Sequence, residues 1–278
     1  MSTLFALAGE FDSGKHQYRV YEPGSSSTVD WLFPLAKEYV KTLSQSILPR
    51  RPIQAPESDF HMDMTRLERY IAKASIPKYK PGNFNVVRSD FGELLCYVLL
   101  ECWYNTLFGA KSISYRELKD LPGRGIDAIG IERGDPLTIV LCEVKVSDDQ
   151  KSPPRVVDDS DDCLSKQHRH HLDAMSHATK EKIWRAYRFT KDERIGDLLA
   201  EAATYIEEQQ IEKLRIVSCN VLIRPKTKYT EADFGSFRQT PADYLPADIR
   251  FLIACVPDDL NTLIKDWYSI VEKTGVSG

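Results

Sequence analysis

No run of eighteen apolar residues occurs in the 278-residue sequence, so hydropathy gives no membrane-spanning helix. A charged-then-apolar leader is also missing, and the expectation is therefore a cytoplasmic protein without a signal peptide or membrane contact. The six cysteines, at 96, 102, 142, 163, 219 and 255, form no CxxC pair. Most sit in apolar runs such as Leu141-Cys142 and Ala254-Cys255, where a reduced thiol acts as a small hydrophobe. Neither a zinc site nor a disulfide framework is supported. Excess positive charge is absent too: 37 Lys and Arg against 41 Asp and Glu leave a net charge of −4. Phosphate contacts dominate affinity for nucleic acid, and proteins that hold it unaided usually carry a basic footprint. Any affinity for DNA must then come from a local patch or from a partner. No internal repeat is visible.

The composition, 42% apolar and 28% charged, is that of a folded globular chain, long enough for one large domain or two small ones. In the first 90 residues, Leu4–Phe11 and Gln17–Tyr21 pattern as strands. Trp31, Leu35, Tyr39 and Leu43 predict a helix over Asp30–Ile47, and Met64–Ala74 a short one. The pattern sharpens from Asp90, where Phe91, Leu94, Leu95, Val98, Leu99 and Cys102 predict a helix over Asp90–Phe108. Strands follow over Arg124–Glu132 and Leu137–Ser147, separated by the turn Gly134-Asp135-Pro136. Asp148–Asp162 is polar and Pro-containing and reads as a flexible loop. Helices are expected over Cys163–Phe189 and Ile195–Gln210, strands over Leu214–Ile223 and Ile249–Val256. Leu260, Leu263, Ile264, Trp267 and Val271 then mark a closing amphipathic helix. The fold class is α/β (α+β).

The chemistry is concentrated in Leu137–Val146. Its odd positions begin Leu137, Ile139, Leu141 and end Glu143, Lys145, while its even positions after Thr138 are apolar throughout. A strand apolar on both faces is covered on both. Opposite charges on one of those faces cost free energy unless they are paired or bind something. Strand side chains alternate, so Glu143 and Lys145 point the same way. The preceding strand carries one acid, Asp127, in an otherwise apolar and glycine sequence. In an antiparallel hairpin Asp127 faces Glu143 only if paired residue numbers sum to 270, and a one-residue slip turns Asp127 to the other face. Two such carboxylates suit a hard, oxygen-seeking cation such as Mg²⁺, with Mn²⁺ as a substitute. The metal would lower the pKa of a bound water, and Lys145 would orient that water or stabilise the transition-state charge. Taken alone, the Glu-x-Lys string reads more simply as an ion pair on a partly exposed strand, since such strings are common. Glu93 is open between two roles. It joins the acids, or it completes a capping box with Asp90 as N-cap.

Together, Arg88-Ser89-Asp90-Phe91-Gly92-Glu93, Gly125-Ile126-Asp127 and Cys142-Glu143-Val144-Lys145 resemble the PD-(D/E)XK nuclease superfamily. Within it the chain resembles the HamA nuclease subunits of Hachiman anti-phage systems and the related AbpA-type proteins. The core of the likeness spans about residues 88–190. Ile126 stands where the motif's Pro would be. The resemblance implies a restriction-endonuclease-like core, a central mixed sheet flanked by helices, over residues 88–278, with an N-terminal α+β extension over 1–87. It also implies a Mg²⁺-dependent DNA nuclease, the effector of a defence complex, with Asp127, Glu143 and Glu93 as metal ligands and Lys145 beside them. A helicase or ATPase subunit would be the partner, docked chiefly on residues 1–85 and 211–278. Many such nucleases place a Gln on the helix after the Glu-x-Lys strand. Gln167 lies in that region, although an exposed helical Gln is its simpler reading.

Four histidines, at 168, 170, 171 and 177, lack the separate ligands of a closed zinc site and read as a solvated helix face. The stretch around them is the most basic in the chain. Lys180, Lys182, Arg185 and Arg188, interleaved with Trp184, Tyr187 and Phe189, are candidates for contacting a phosphate backbone. A salt-bridged surface is the plainer alternative. Against the nuclease stands a second reading, a non-catalytic scaffold of nuclease fold that binds and regulates a helicase.

Overall fold

Apolar strands need cover on both faces, and the chain supplies it by alternating strands with helices. The computed structural model describes residues 4–25, 27–44, 70, 73–78, 81–114, 126–173 and 177–277. Strands β1 (Phe5–Glu10) and β2 (Gln17–Pro23) form a hairpin and lead into helix α1 (Thr28–Ser44). Helix α2 (Phe84–Trp103) precedes strands β3 (Ala128–Glu132) and β4 (Leu137–Val146). Helices α3 (Leu164–Asp173), α4 (His177–Phe189) and α5 (Glu193–Glu207) come next. Strands β5 (Leu214–Pro225) and β6 (Asp248–Val256) and helix α6 (Leu260–Ser277) complete the fold.

All six strands join one mixed sheet in the order β1-β2-β6-β5-β4-β3. Strands β2, β6, β5 and β4 run parallel, while β1 and β3 are antiparallel edges. This is the central mixed sheet of a PD-(D/E)XK-like core, and the β1–β2 hairpin extends it at one edge. Of the four inner strands, β4, β5 and β6 are almost wholly buried, as expected of parallel strands covered on both sides. One face, with Val140, Cys142, Val221 and Leu252, packs on α1, α2 and α6. On the opposite face Ile139, Leu141 and Ile216 pack on α4 and α5. Further along that face, Leu222, Phe251 and Ile253 meet Leu164, Phe234, Phe237 and Tyr244. All six cysteines are free, five of them buried. Among the described residues no helix is long and apolar enough to cross a membrane.

Several expectations are corrected. Helix α2 runs over Phe84–Trp103 rather than Asp90–Phe108. Its start six residues earlier buries Asp90, which accepts a hydrogen bond from the Tyr39 hydroxyl. Asp90 is therefore no N-cap, and the capping-box reading of Glu93 falls. The helix stops where Asn105 takes the left-handed backbone region (φ 53°) and Leu107 pairs with Ile131 instead. Asp148–Asp162 is a tethered segment, not a free loop, because its acids find partners. Asp148 pairs with Arg88 at 3.1 Å, Asp149 with Arg155 at 3.3 Å, and Asp158 accepts from the Ser236 amide at 2.9 Å. Of the helix expected over Cys163–Phe189, Leu164–Asp173 and His177–Phe189 are helical (α3 and α4), and 174–176 lie outside the described residues. Of the short helix expected over 64–74, only Tyr70 and residues 73–74 are described, and they are helical; the rest lies outside the described residues.

Candidate active site

A close approach of helix to sheet sets the site. Gly92 of α2 lies against β4, where an added Cβ would come within 2.7 Å of Val146 and 3.1 Å of Val144. That contact brings Glu93, the next residue, to the end of β4 where Glu143 and Lys145 stand.

The β3–β4 hairpin has the register in which Asp127 faces Glu143. Ala128 pairs with Cys142 and Glu132 with Thr138, so paired numbers sum to 270. Regular pairing ends at Ala128. One step further, the Asp127 amide donates to the Cys142 carbonyl at 3.1 Å, and Asp127 Oδ2 accepts from the Val144 amide at 2.8 Å. The Asp127 carboxyl thus takes a β4 backbone donor that the ladder no longer reaches.

Three acids gather here. Glu143 is 3% exposed and Glu93 4% exposed. Burial pushes the Glu143 carboxyl up to about 8, although Lys145 and a hydrogen bond with Asp127 pull it down. Enclosure likewise holds Asp127 well above its ordinary range, with Glu143 and then Glu93 adding negative charge nearby. Two carboxyl groups in hydrogen-bond contact need a shared proton or a cation between them. Glu93 is held by serines: Ser112 donates to Oε2 at 2.5 Å and Ser89 to Oε1 at 3.4 Å. Ser112 also reaches the Asp127 carbonyl at 2.9 Å and so links the two acids.

Lys145 shares the Glu143 face, and its Nζ donates to Asp162 at 2.6 Å. The other oxygen of Asp162 accepts from the Gln167 side chain on α3. Gln167 is therefore half-buried and tied to Lys145 through Asp162, not simply exposed. Sequence reasoning missed Asp162, one of several acids in a polar run. Its only local signal is a position just before the helix that carries Gln167.

Lys182, expected on a DNA-facing surface, turns inward, and its Nζ donates to the Ile126 carbonyl at 3.1 Å. Burial, and then Arg185, hold its pKa below the usual lysine value, while all three acids pull the other way. The remaining cations of α4 stay outside the acid cluster. Lys180 pairs with Glu207 at 2.6 Å, Arg185 lies 5.9 Å from the Phe189 ring centroid, and Arg188 is exposed. The histidines divide: His168 is buried with Nδ1 2.7 Å from Ser218 Oγ, while His170 is exposed. The solvated reading fails for His168 because α3 lays it against β5.

A family model for HamA matches residues 6–269. The chain belongs to the HamA family. No curated protein matches it. Membership makes it a nuclease-fold protein of an anti-phage system. In this HamA protein the donor set of the site, carboxylates and a backbone carbonyl, has the chemistry a hard cation takes. Among the described residues, however, no group of three or more His, Cys, Asp or Glu side chains is arranged to hold a metal ion. The acids face protein donors instead: Asp127 the Val144 amide, Glu93 the two serines.

Proposed function

We propose that this HamA protein is a Mg²⁺-dependent DNA nuclease, the effector of a complex with a helicase-like ATPase. The observation that carries this reading is the hydrogen-bonded pair of buried Glu143 and half-buried Asp127, with Lys145 on the Glu143 face. Asp127 and Glu143 would hold the ion, with Glu93 as a further ligand once it leaves its serines. Bound there, Mg²⁺ supplies Lewis acidity toward a phosphate oxygen and a more acidic water. The residues do the rest. Glu143 and Asp127 fix one edge of the phosphate site, and the burial of Glu143 limits bulk water there. Lys145 aims its ammonium at the charge that develops on the phosphate, a donor worth most where water is excluded. Asp162 and Gln167 hold Lys145 in place until substrate arrives.

The net charge of −4 gives weak long-range attraction to DNA, and target engagement then falls to the partner. Among the described residues, Arg188 is an exposed basic candidate on α4 for contact with a phosphate. The test is cleavage of supercoiled plasmid, with and without Mg²⁺, by the chain alone and with its co-purified ATPase. Cutting that requires Mg²⁺ and disappears in Lys145→Ala supports the reading. Cutting that survives Lys145→Ala refutes the assigned role.

One observation favours the scaffold alternative: the acids are not arranged to hold a metal among the described residues. That reading predicts normal ATPase binding and no Mg²⁺-dependent cutting under any partner condition.

A further inference from the structure

Behind Glu143 lies a polar group that the proposed chemistry does not use. Asn220 on β5 is the register partner of Glu143 on β4. Paired residues on parallel strands point to the same face, so the Asn220 side chain stands beside that of Glu143. It is fully buried, and its Oδ1 has no hydrogen-bond partner. Its Nδ2 makes one long contact, 3.5 Å to Ser218 Oγ. Ser218 is itself fully buried and lies 2.7 Å from His168 Nδ1. On the far side, the β6 partner of Asn220 is Phe251, which offers nothing polar. A buried amide oxygen without a partner costs about 1–3 kcal/mol, and an apolar residue of similar shape would avoid that cost. The sheet keeps the amide at the one position next to the site carboxylate.

We propose that Asn220, backed by Ser218 and His168, is a positioning residue for Glu143. A carboxamide carries both donor and acceptor, so Asn220 can donate to an ionised Glu143 or accept from a protonated one. Either bond fixes the Glu143 carboxyl on its Asp127 side, and the Ser218–His168 contact fixes the amide. Groups that orient a metal ligand in this way typically change metal affinity by about 10- to 100-fold. The inference rests on the metal site proposed above.

The experiment uses the full chain and Mn²⁺ as probe, followed by calorimetric binding, thermal melting and plasmid cleavage. Asn220→Leu removes both polar ends of the side chain and should melt at or above the wild-type temperature. It should nonetheless bind Mn²⁺ about 10-fold more weakly, with cleavage largely restored at saturating Mn²⁺. Ser218→Ala should weaken Mn²⁺ in the same direction by a smaller factor, and it decides the matter if Asn220→Leu does not fold. Wild-type Mn²⁺ affinity in the folded Asn220→Leu protein, or in Ser218→Ala if that variant must serve, overturns the positioning role alone. A wild-type chain that binds no Mn²⁺ overturns the metal site and this inference together.

Discussion

Glu143 and Arg224 are buried ionisable residues on the same face of neighbouring strands, and they are compensated in opposite ways. Arg224 is fully buried and every nitrogen is used. Nε donates to Asp233 at 3.0 Å, and the other two reach the carbonyls of Asp149, Lys151 and Lys228 at 2.7, 2.8 and 3.2 Å. Asp233, equally buried, also accepts from Ser152 at 2.6 Å. That node is closed, and its work is to pin the segment after β4 to the sheet. At Glu143 burial is as deep, but the nearest groups include a second carboxyl and Asp162, with Lys145 shared between them. Burial holds both acids above their ordinary range, and the charge of Glu143 adds to the rise at Asp127, a cost that a cation or proton relieves. A buried cation met by acceptors on every side serves architecture, and buried acids crowded against one another are suited to a ligand.

The sharpest way to break the comparison is at Lys145. Lys145→Ala should reduce Mg²⁺-dependent plasmid cleavage by about 10²- to 10³-fold or more while the melting temperature hardly moves. A comparable loss of stability would make Lys145 a structural cation like Arg224. The next effect belongs to the closed node. Asp233→Ala leaves Arg224 buried and unpaired and should cost about 3–5 kcal/mol in urea unfolding. Replacing Arg224 and Asp233 together by Met and Leu should cost far less, and an equal cost would contradict the pairing argument.

A third prediction separates the nodes by pH. The folded-state pKa of Glu143, about 8, lies above its ordinary value of 4.5. Its contribution to stability is therefore fully present below pH 4.5 and is lost as pH rises through 8. Glu143→Gln should remove that loss. Its melting temperature should exceed wild type by several degrees at pH 9 and by little at pH 4, with Mg²⁺ protecting only the wild type. Equal pH dependence in the two proteins would mean that Glu143 is ionised and satisfied in the fold. The smallest effect is expected at Asp162, whose side chain is 72% exposed. Asp162→Asn should change stability by less than about 1 kcal/mol, because an exposed ion pair is screened. Its consequence should appear in cleavage, through the freedom it gives Lys145.

How much of this was legible in the sequence varies with how local the cause is. The alternation Leu137, Ile139, Leu141, Glu143, Lys145 places both charges on one covered face, and the three-residue turn sets the 270 register without reference to the rest of the chain. The limits of α2 differ from the sequence reading because Asp90 with Glu93 imitates a helix start although Val87 already lies on the buried face, and because Asn105 ends it by backbone conformation. Lys182 and His168 belong to helices whose polarity reads as solvated. Only docking on the sheet decides that one meets the acids and the other the core.

By itself, then, the sequence determined the strand pair, its register and the pairing of Asp127 with Glu143 and Lys145, since period-two alternation and a short turn are properties of adjacent residues. The tertiary structure decided which distant groups stand around them: Glu93 and Ser112 on one side, Lys182, Asp162 and Asn220 on the other. Those contacts join segments far apart in the chain, and no local periodicity encodes which side chain a packed helix will turn inward.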